Sequence, residues 1–263
     1  MPENEFDREF RRHEQSRIEE RRIRQERQQR IDTLKIERNN IRGEINNILN
    51  SPLEAGMYGG LTAGRVYELK EQEKRITNQI GVIYLEQLMD YRVEGDYYVS
   101  NVDGVEIRMS KGNFDAPDIH AEGHKNTPIN LATSRIDPRA LVVLVENSQA
   151  LNLDSVEVSS LWRNSTTSPH GSGRGIDIVR AYRGNEVAYF NNENGQAQTP
   201  FIQEIYNQFV GDNRVSQALG PWEFYGYGAN PERHPNRWRE LNLTSGDYYD
   251  HRHHLHITIL KLR

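Results

Sequence analysis

Cysteine is absent from the 263 residues, which excludes a disulfide framework and thiolate metal ligation, so any metal must be held by nitrogen and oxygen. Long apolar runs are missing as well. With no stretch of about 18 apolar residues, a membrane span is not expected. The start, Met1-Pro2-Glu3-Asn4-Glu5-Phe6-Asp7, lacks the apolar segment that a secretory signal needs. The expectation is a soluble protein made in the cytoplasm without an export signal. A basic excess is also lacking: the net charge is -5, which argues against a phosphate-tracking surface and hence against nucleic-acid binding.

Glycine and proline are missing from Glu3 to Asn50 apart from Gly43, and Lys/Arg and Asp/Glu nearly balance there. Such a segment is a long helix or disordered. Ile31, Leu34, Ile41, Ile45 and Ile48 fall on a seven-residue repeat that Arg38 interrupts. Before Ile31 the stripe thins to Phe6, Phe10, Ile18 and Ile23, so the helix is expected to fray or project toward its start. Ser51-Pro52 ends it, and the glycines from Gly56 to Gly64 form a connection. Val66, Leu69, Ile76, Ile80 and Ile83 mark a second stripe, interrupted by Glu73 and running to about Met89. An antiparallel helical hairpin, or a coiled coil with other copies, would bury both stripes. Residues 1–92 therefore read as a charged helical region for docking a protein partner or for self-association, or simply as a solvated helix pair.

Residues 93–263 read differently. Tyr97-Tyr98-Val99 and Val105 to Met109, joined through Asp103-Gly104, predict a β-hairpin, because Asp-Gly suits the hairpin turn. Lys111 to Ile136 is expected to be loop. Within it, His120-Ala121-Glu122-Gly123-His124 differs from the helical zinc motif, which has glutamate directly after the first histidine. Asp137-Pro138 opens a helix with Leu141, Leu144, Val145 and Leu151 inward. Strands are expected at Val156 to Val158, Ile176 to Val179, Glu186 to Phe190 and Leu255 to Leu260, and a helix at Pro200 to Val210. Trp222, Phe224, Tyr225 and Tyr227 read as a core cluster under a loop or as the wall of a groove. The mixture predicts an α+β fold with an antiparallel sheet.

Chemistry concentrates in two stretches. Ser168-Pro169-His170-Gly171-Ser172-Gly173-Arg174-Gly175-Ile176-Asp177-Ile178 supplies a histidine and an aspartate, and His251-Arg252-His253-His254-Leu255-His256 supplies a cluster of histidines. Imidazole and carboxylate are ligands for a catalytic zinc ion, which takes three protein groups and keeps one position open. The glycines between His170 and Asp177 allow an irregular loop that folds both onto one ion. A phosphate loop is a poorer reading, because a β-prone run follows the glycines rather than a helix. On a strand, His254 and His256 would share one face and His253 would point to the other.

Ser-x-His-x-x-Gly-x-Gly-x-Asp-Ile at 168 to 178, followed by His-x-x-His-x-His at 251 to 256, resembles the zinc peptidases of the D-alanyl-D-alanine metallopeptidase and hedgehog-like fold. The triple-histidine ending is most similar to the penicillin-insensitive murein endopeptidases, and Ser-Ser-Leu-Trp-Arg at 159 to 163 resembles the family's Ser-x-x-Arg strand end. The resemblance spans roughly residues 95 to 263. It implies Zn2+ held by His170, Asp177 and His256, with His254 as base and His251 as a second polar group over the metal. It further implies that Arg163 meets a substrate carboxylate or carbonyl, and that the substrate is a stem or cross-link peptide of peptidoglycan. Many relatives place a carboxylate three residues before the last ligand, where this chain has His253; Asp250 is the reserve candidate for the base. A phage lysin, a tail lysin or the cargo of an injection apparatus are the settings expected. The alternative is a structural or adaptor protein of such an assembly with a vestigial zinc site.

Overall fold

The structure, a computed structural model, describes residues 5–50, 59–114, 127–166, 168–227, 238–240 and 251–261. The class is mixed α+β. The chain divides into two compact units, Met1–Ile83 and Tyr84–Arg263.

In the first unit, α1 spans Glu5–Asn50, and α2, Gly59–Met89, begins there. The sequence stripes are the buried ones except at Ile48, which is half-buried. Ile31, Leu34, Ile41 and Ile45 of α1 are buried, as are Val66, Leu69, Ile76, Ile80 and Ile83 of α2. Arg38, which interrupts the apolar repeat, is buried all the same, because a guanidinium on a long apolar stem can occupy a seam position. Arg42 pairs with Glu73 at 2.5 Å and Arg65 with Glu44 at 2.8 Å, so rising numbers on α1 meet falling numbers on α2, as in a hairpin. From Glu9 to Glu26 every α1 side chain is exposed. Local pairs such as Arg22 with Glu19 and Glu26 support this stretch.

The second unit is built on one ten-stranded sheet. Its strands are β1 (Arg92–Glu94), β2 (Tyr97–Val102), β3 (Val105–Ser110), β4 (Ser155–Ser160), β5 (Gly175–Arg183), β6 (Glu186–Tyr189), β7 (Val215–Leu219), β8 (Phe224–Tyr227), β9 (Trp238–Glu240) and β10 (Leu255–Ile259). They lie in the order β1-β2-β3-β4-β5-β10-β7-β8-β9, with β6 paired to β5. Asp103 and Gly104 both have positive φ, 50° and 88°, and close the β2–β3 hairpin expected from Asp-Gly.

One junction departs from the expected antiparallel sheet: β3 and β4 run parallel. A parallel pair needs a crossover, and α5 (Pro138–Ala150) lies in it. The same connection, expected to be loop as far as Ile136, holds two short helices, α3 (Lys111–Phe114) and α4 (Ile129–Ser134). Asp137 caps α5 by accepting from the Arg139 amide, with Pro138 in the first turn, as its sequence predicts. α6 (Pro200–Gly211) is likewise capped by Thr199.

Strand alternation sorts the sheet. Val156 and Val158 of β4, Ile176 and Ile178 of β5, and Leu255 and Ile257 of β10 are buried apolar residues. The intervening positions Asp177, His256 and Thr258 are buried polar ones. The sheet thus carries an apolar core on one face and a polar site on the other.

Candidate metal centre

Asp177 and His256 are register partners across the antiparallel β5–β10 pair. Cross-strand partners bring their side chains together on one face, and here Asp177 Oδ1 lies 2.7 Å from His256 Nδ1. His170 arrives from the short 3-10 turn Pro169–Ser172, which Ser168 caps by accepting from the His170 amide. Gly173 ends that turn with φ 72°, a left-handed conformation that glycine adopts without a steric penalty. Gly175 then passes beneath the imidazole, where an added Cβ would stand 3.0 Å from the His170 ring. Trp162 Nε1 donates to the Gly171 carbonyl at 3.0 Å and ties the turn to the end of β4.

The result is a cluster of three ligand atoms. His170 Nε2 lies 3.2 Å from Asp177 Oδ1 and 3.2 Å from His256 Nδ1. All three residues are buried, His170 completely. On its far side His170 Nδ1 is 2.6 Å from the Leu161 carbonyl. A carbonyl can only accept, so Nδ1 carries a proton, and in the neutral form the Nε2 lone pair faces the carboxylate. Burial pushes the Asp177 carboxyl up, but the surrounding histidines, His170, His254 and His256, hold it well below the usual carboxylate range. Two electron-rich groups facing each other out of water are unfavourable unless a positive charge lies between them. The donor set therefore fits a cation, and His170, Asp177 and His256 could hold a metal ion.

The other histidines surround this group. His251, His254 and His256 form a second set whose ligand atoms lie within 4.8 Å of one another. His254 Nε2 is 3.4 Å from Asp177 Oδ1. Burial lowers its pKa to about 3, against the opposing charge of Asp177 and helped by His251, His256 and His253, so the imidazole is neutral at neutral pH. Burial also lowers the pKa of His256, opposed by Asp177.

Strand alternation does not govern His251 to His254, because β10 begins only at Leu255. His253, expected to turn away, instead places Nδ1 2.8 Å from His254 Nδ1 and lines the same cavity. That cavity, about 670 Å³, is also lined by Arg163, Ser165, Ser168, Gln217 and Leu219. Arg163 Nη2 reaches Ser168 Oγ at 3.5 Å, and among the described residues it has no carboxylate partner. Asp250, the reserve base, and the His120 to His124 stretch lie outside the described residues. So do the side chains of Phe224, Tyr225 and Tyr227.

Thr258 was not singled out by the sequence reading, yet its hydroxyl lies 2.8 Å from His256 Nε2. The available signal was its place two residues beyond His256 on one strand, hence on one face. Comparison of the chain with known protein families, with curated proteins and with solved structures finds no match. Among the described residues no helix is long and apolar enough to cross a membrane.

Proposed function

We propose that the chain is a zinc-dependent peptidase of the D-alanyl-D-alanine metallopeptidase and hedgehog-like type, acting on stem or cross-link peptides of bacterial peptidoglycan. The observation that carries this reading is the convergence of His170 Nε2, Asp177 Oδ1 and His256 Nδ1 at separations of 2.7 to 3.2 Å. Neighbouring ligand atoms in a tetrahedral zinc shell with bonds of about 2.0–2.1 Å lie about 3.3 Å apart. Two imidazoles and a carboxylate suit zinc among the available metals. The substrate class rests on the resemblance of residues 168 to 178 and 251 to 256 to that family.

Zinc bound here would supply Lewis acidity toward a substrate carbonyl and would acidify a water molecule. His254, neutral beside Asp177, accepts the proton released during attack and returns it to the leaving amine. His251 adds a second imidazole on the same side of the cluster, its ring 5.3 Å from that of His254. Arg163, on the cavity wall, binds a carboxylate or carbonyl of the peptide. The helices of residues 1–92 serve as a docking or self-association module for delivery as a phage lysin, tail lysin or injected cargo.

His253, standing where many members of that family hold a carboxylate, favours a second reading, an adaptor whose zinc site is only structural. Digestion of purified peptidoglycan with and without a chelator, with mass spectrometry of the released peptides, separates the two. Chelator-sensitive release supports the peptidase and identifies the bond. Bound zinc with no chelator-sensitive release supports the adaptor.

A further inference from the structure

We infer that Thr258 is the positioning residue that lets His256 change tautomer when it takes a metal ion, an inference that rests on the metal-site reading above. The two imidazoles of the site are held in different ways. His170 has its remote nitrogen on the Leu161 carbonyl at 2.6 Å, and a carbonyl accepts only. The tautomer of its neutral form is therefore preset, with the lone pair on Nε2.

His256 is reversed. Its Nδ1 faces Asp177 Oδ1 at 2.7 Å, and its Nε2 faces a hydroxyl, Thr258 Oγ1, at 2.8 Å. A carboxylate oxygen accepts only. When no ion occupies the Nδ1 side, Nδ1 carries the proton and donates to Asp177, while Nε2 accepts from the Thr258 hydroxyl. An ion on Nδ1 needs that lone pair, so the single proton of the neutral imidazole must sit on Nε2, which then donates to Thr258 Oγ1. Only a group that both donates and accepts satisfies Nε2 in the two forms, and a hydroxyl does so.

Burial gives this exchange its weight. His256 and Thr258 are 5% and 3% exposed, so water is poorly placed to substitute, and a buried nitrogen left without a partner is costly. Thr258 is fixed in turn by the sheet. It pairs with Gly175 on β5 and Gln217 on β7, and its carbonyl accepts from Ser216 Oγ at 3.1 Å. The side chain thus stands over the same strand face as His256 without depending on the loop that carries His170.

Thr258→Val preserves shape and removes the hydroxyl, whereas Thr258→Ser keeps the hydroxyl and removes the methyl. Zinc affinity of the full chain, measured by chelator competition, is expected to fall about 10–100-fold in Thr258→Val, the range typical of lost outer partners of metal ligands. Thr258→Ser is expected to keep the wild-type affinity. Equal affinity in all three proteins, or equal loss in both variants, overturns the role of the hydroxyl while leaving the metal site standing. A wild type that binds no zinc overturns the metal site itself. Nitrogen-15 NMR of the wild type decides the matter even if Thr258→Val does not fold. His256 Nε2 is expected to be unprotonated without zinc and protonated with it; an unchanged state overturns the inference.

Discussion

His256 and Asp177 face each other across two neighbouring strands, Nδ1 to Oδ1 at 2.7 Å, although they lie 79 residues apart in the chain. The pairing is made by backbone register, so each of these side chains is aimed by a strand rather than by a loop. The third ligand atom, on His170, is brought to them by a capped turn.

In the proposed function the histidines divide into ligands and a base. His256→Ala removes one of the three converging atoms and is expected to abolish stoichiometric zinc binding. His254→Ala is expected to keep zinc and to lower peptide hydrolysis by about 10²–10⁴-fold, the usual contribution of a positioned base. Metal analysis beside a turnover assay checks this, and complete zinc loss in both variants would contradict the division.

Gly175 is a packing requirement of the candidate metal site. The His170 ring above it is completely buried and held by the Leu161 carbonyl, so it cannot retreat from a Cβ placed 3.0 Å away. Gly175→Ala is expected to cost about 1–3 kcal/mol of stability through overpacking and to weaken zinc binding. Denaturant unfolding with and without zinc measures both, and a variant as stable as wild type would count against this contact.

Arg163 is expected to act on binding rather than on the metal. Its loss removes hydrogen bonds to a charged group, each worth about 1.5–3 kcal/mol, so Arg163→Ala should raise KM by roughly 10–100-fold with zinc content unchanged. Arg163→Lys, which lacks the bidentate fork, should recover only part of the effect. Steady-state kinetics on peptides with a free and with an amidated carboxyl terminus test the assignment.

Acid stability has a separate origin, at Asp212. Burial pushes this carboxyl up, but hydrogen bonds and charge from Arg214, with Asn147 donating at 2.7 Å, bring it below its ordinary value. A carboxyl depressed in the folded state stabilises the fold fully above its unfolded pKa of about 3.9 and loses that contribution as pH falls through the folded value. Asp212→Asn should cost about 1.5–3 kcal/mol at neutral pH, because Arg214 loses one of its two carboxylate partners and keeps Glu146 at 2.6 Å. It should also flatten the acid limb below about pH 4 in a urea-unfolding series. An unchanged acid limb would place the dependence elsewhere.

Much of this was legible from short-range patterns. The heptad stripes, the Asp-Gly turn and the Asp137-Pro138 helix start are local signals, and Ile31 to Ile45, Asp103-Gly104 and α5 answer to them. The glycine-spaced His170–Asp177 loop was visible for the same reason. Register was not, since nothing local to Asp177 says that His256 will lie opposite it. The face assigned to His253 failed because alternation was extended into residues that precede the strand. Strands β1 and β9, three residues each, are too short for a period to emerge, and β7, Val-Ser-Gln-Ala-Leu, is too polar to signal a strand by itself. The parallel β3–β4 pair depends on the path of a crossover, which no residue pattern in either strand encodes.

Anomalous X-ray diffraction at the zinc absorption edge, on crystals of the full chain grown with one equivalent of zinc, tests the metal centre most directly. The account predicts one peak, bonded at about 2.0–2.2 Å to His170 Nε2, Asp177 Oδ1 and His256 Nδ1. A peak held by His251 and His254 without His170 and Asp177, or no peak at full zinc loading, would contradict it.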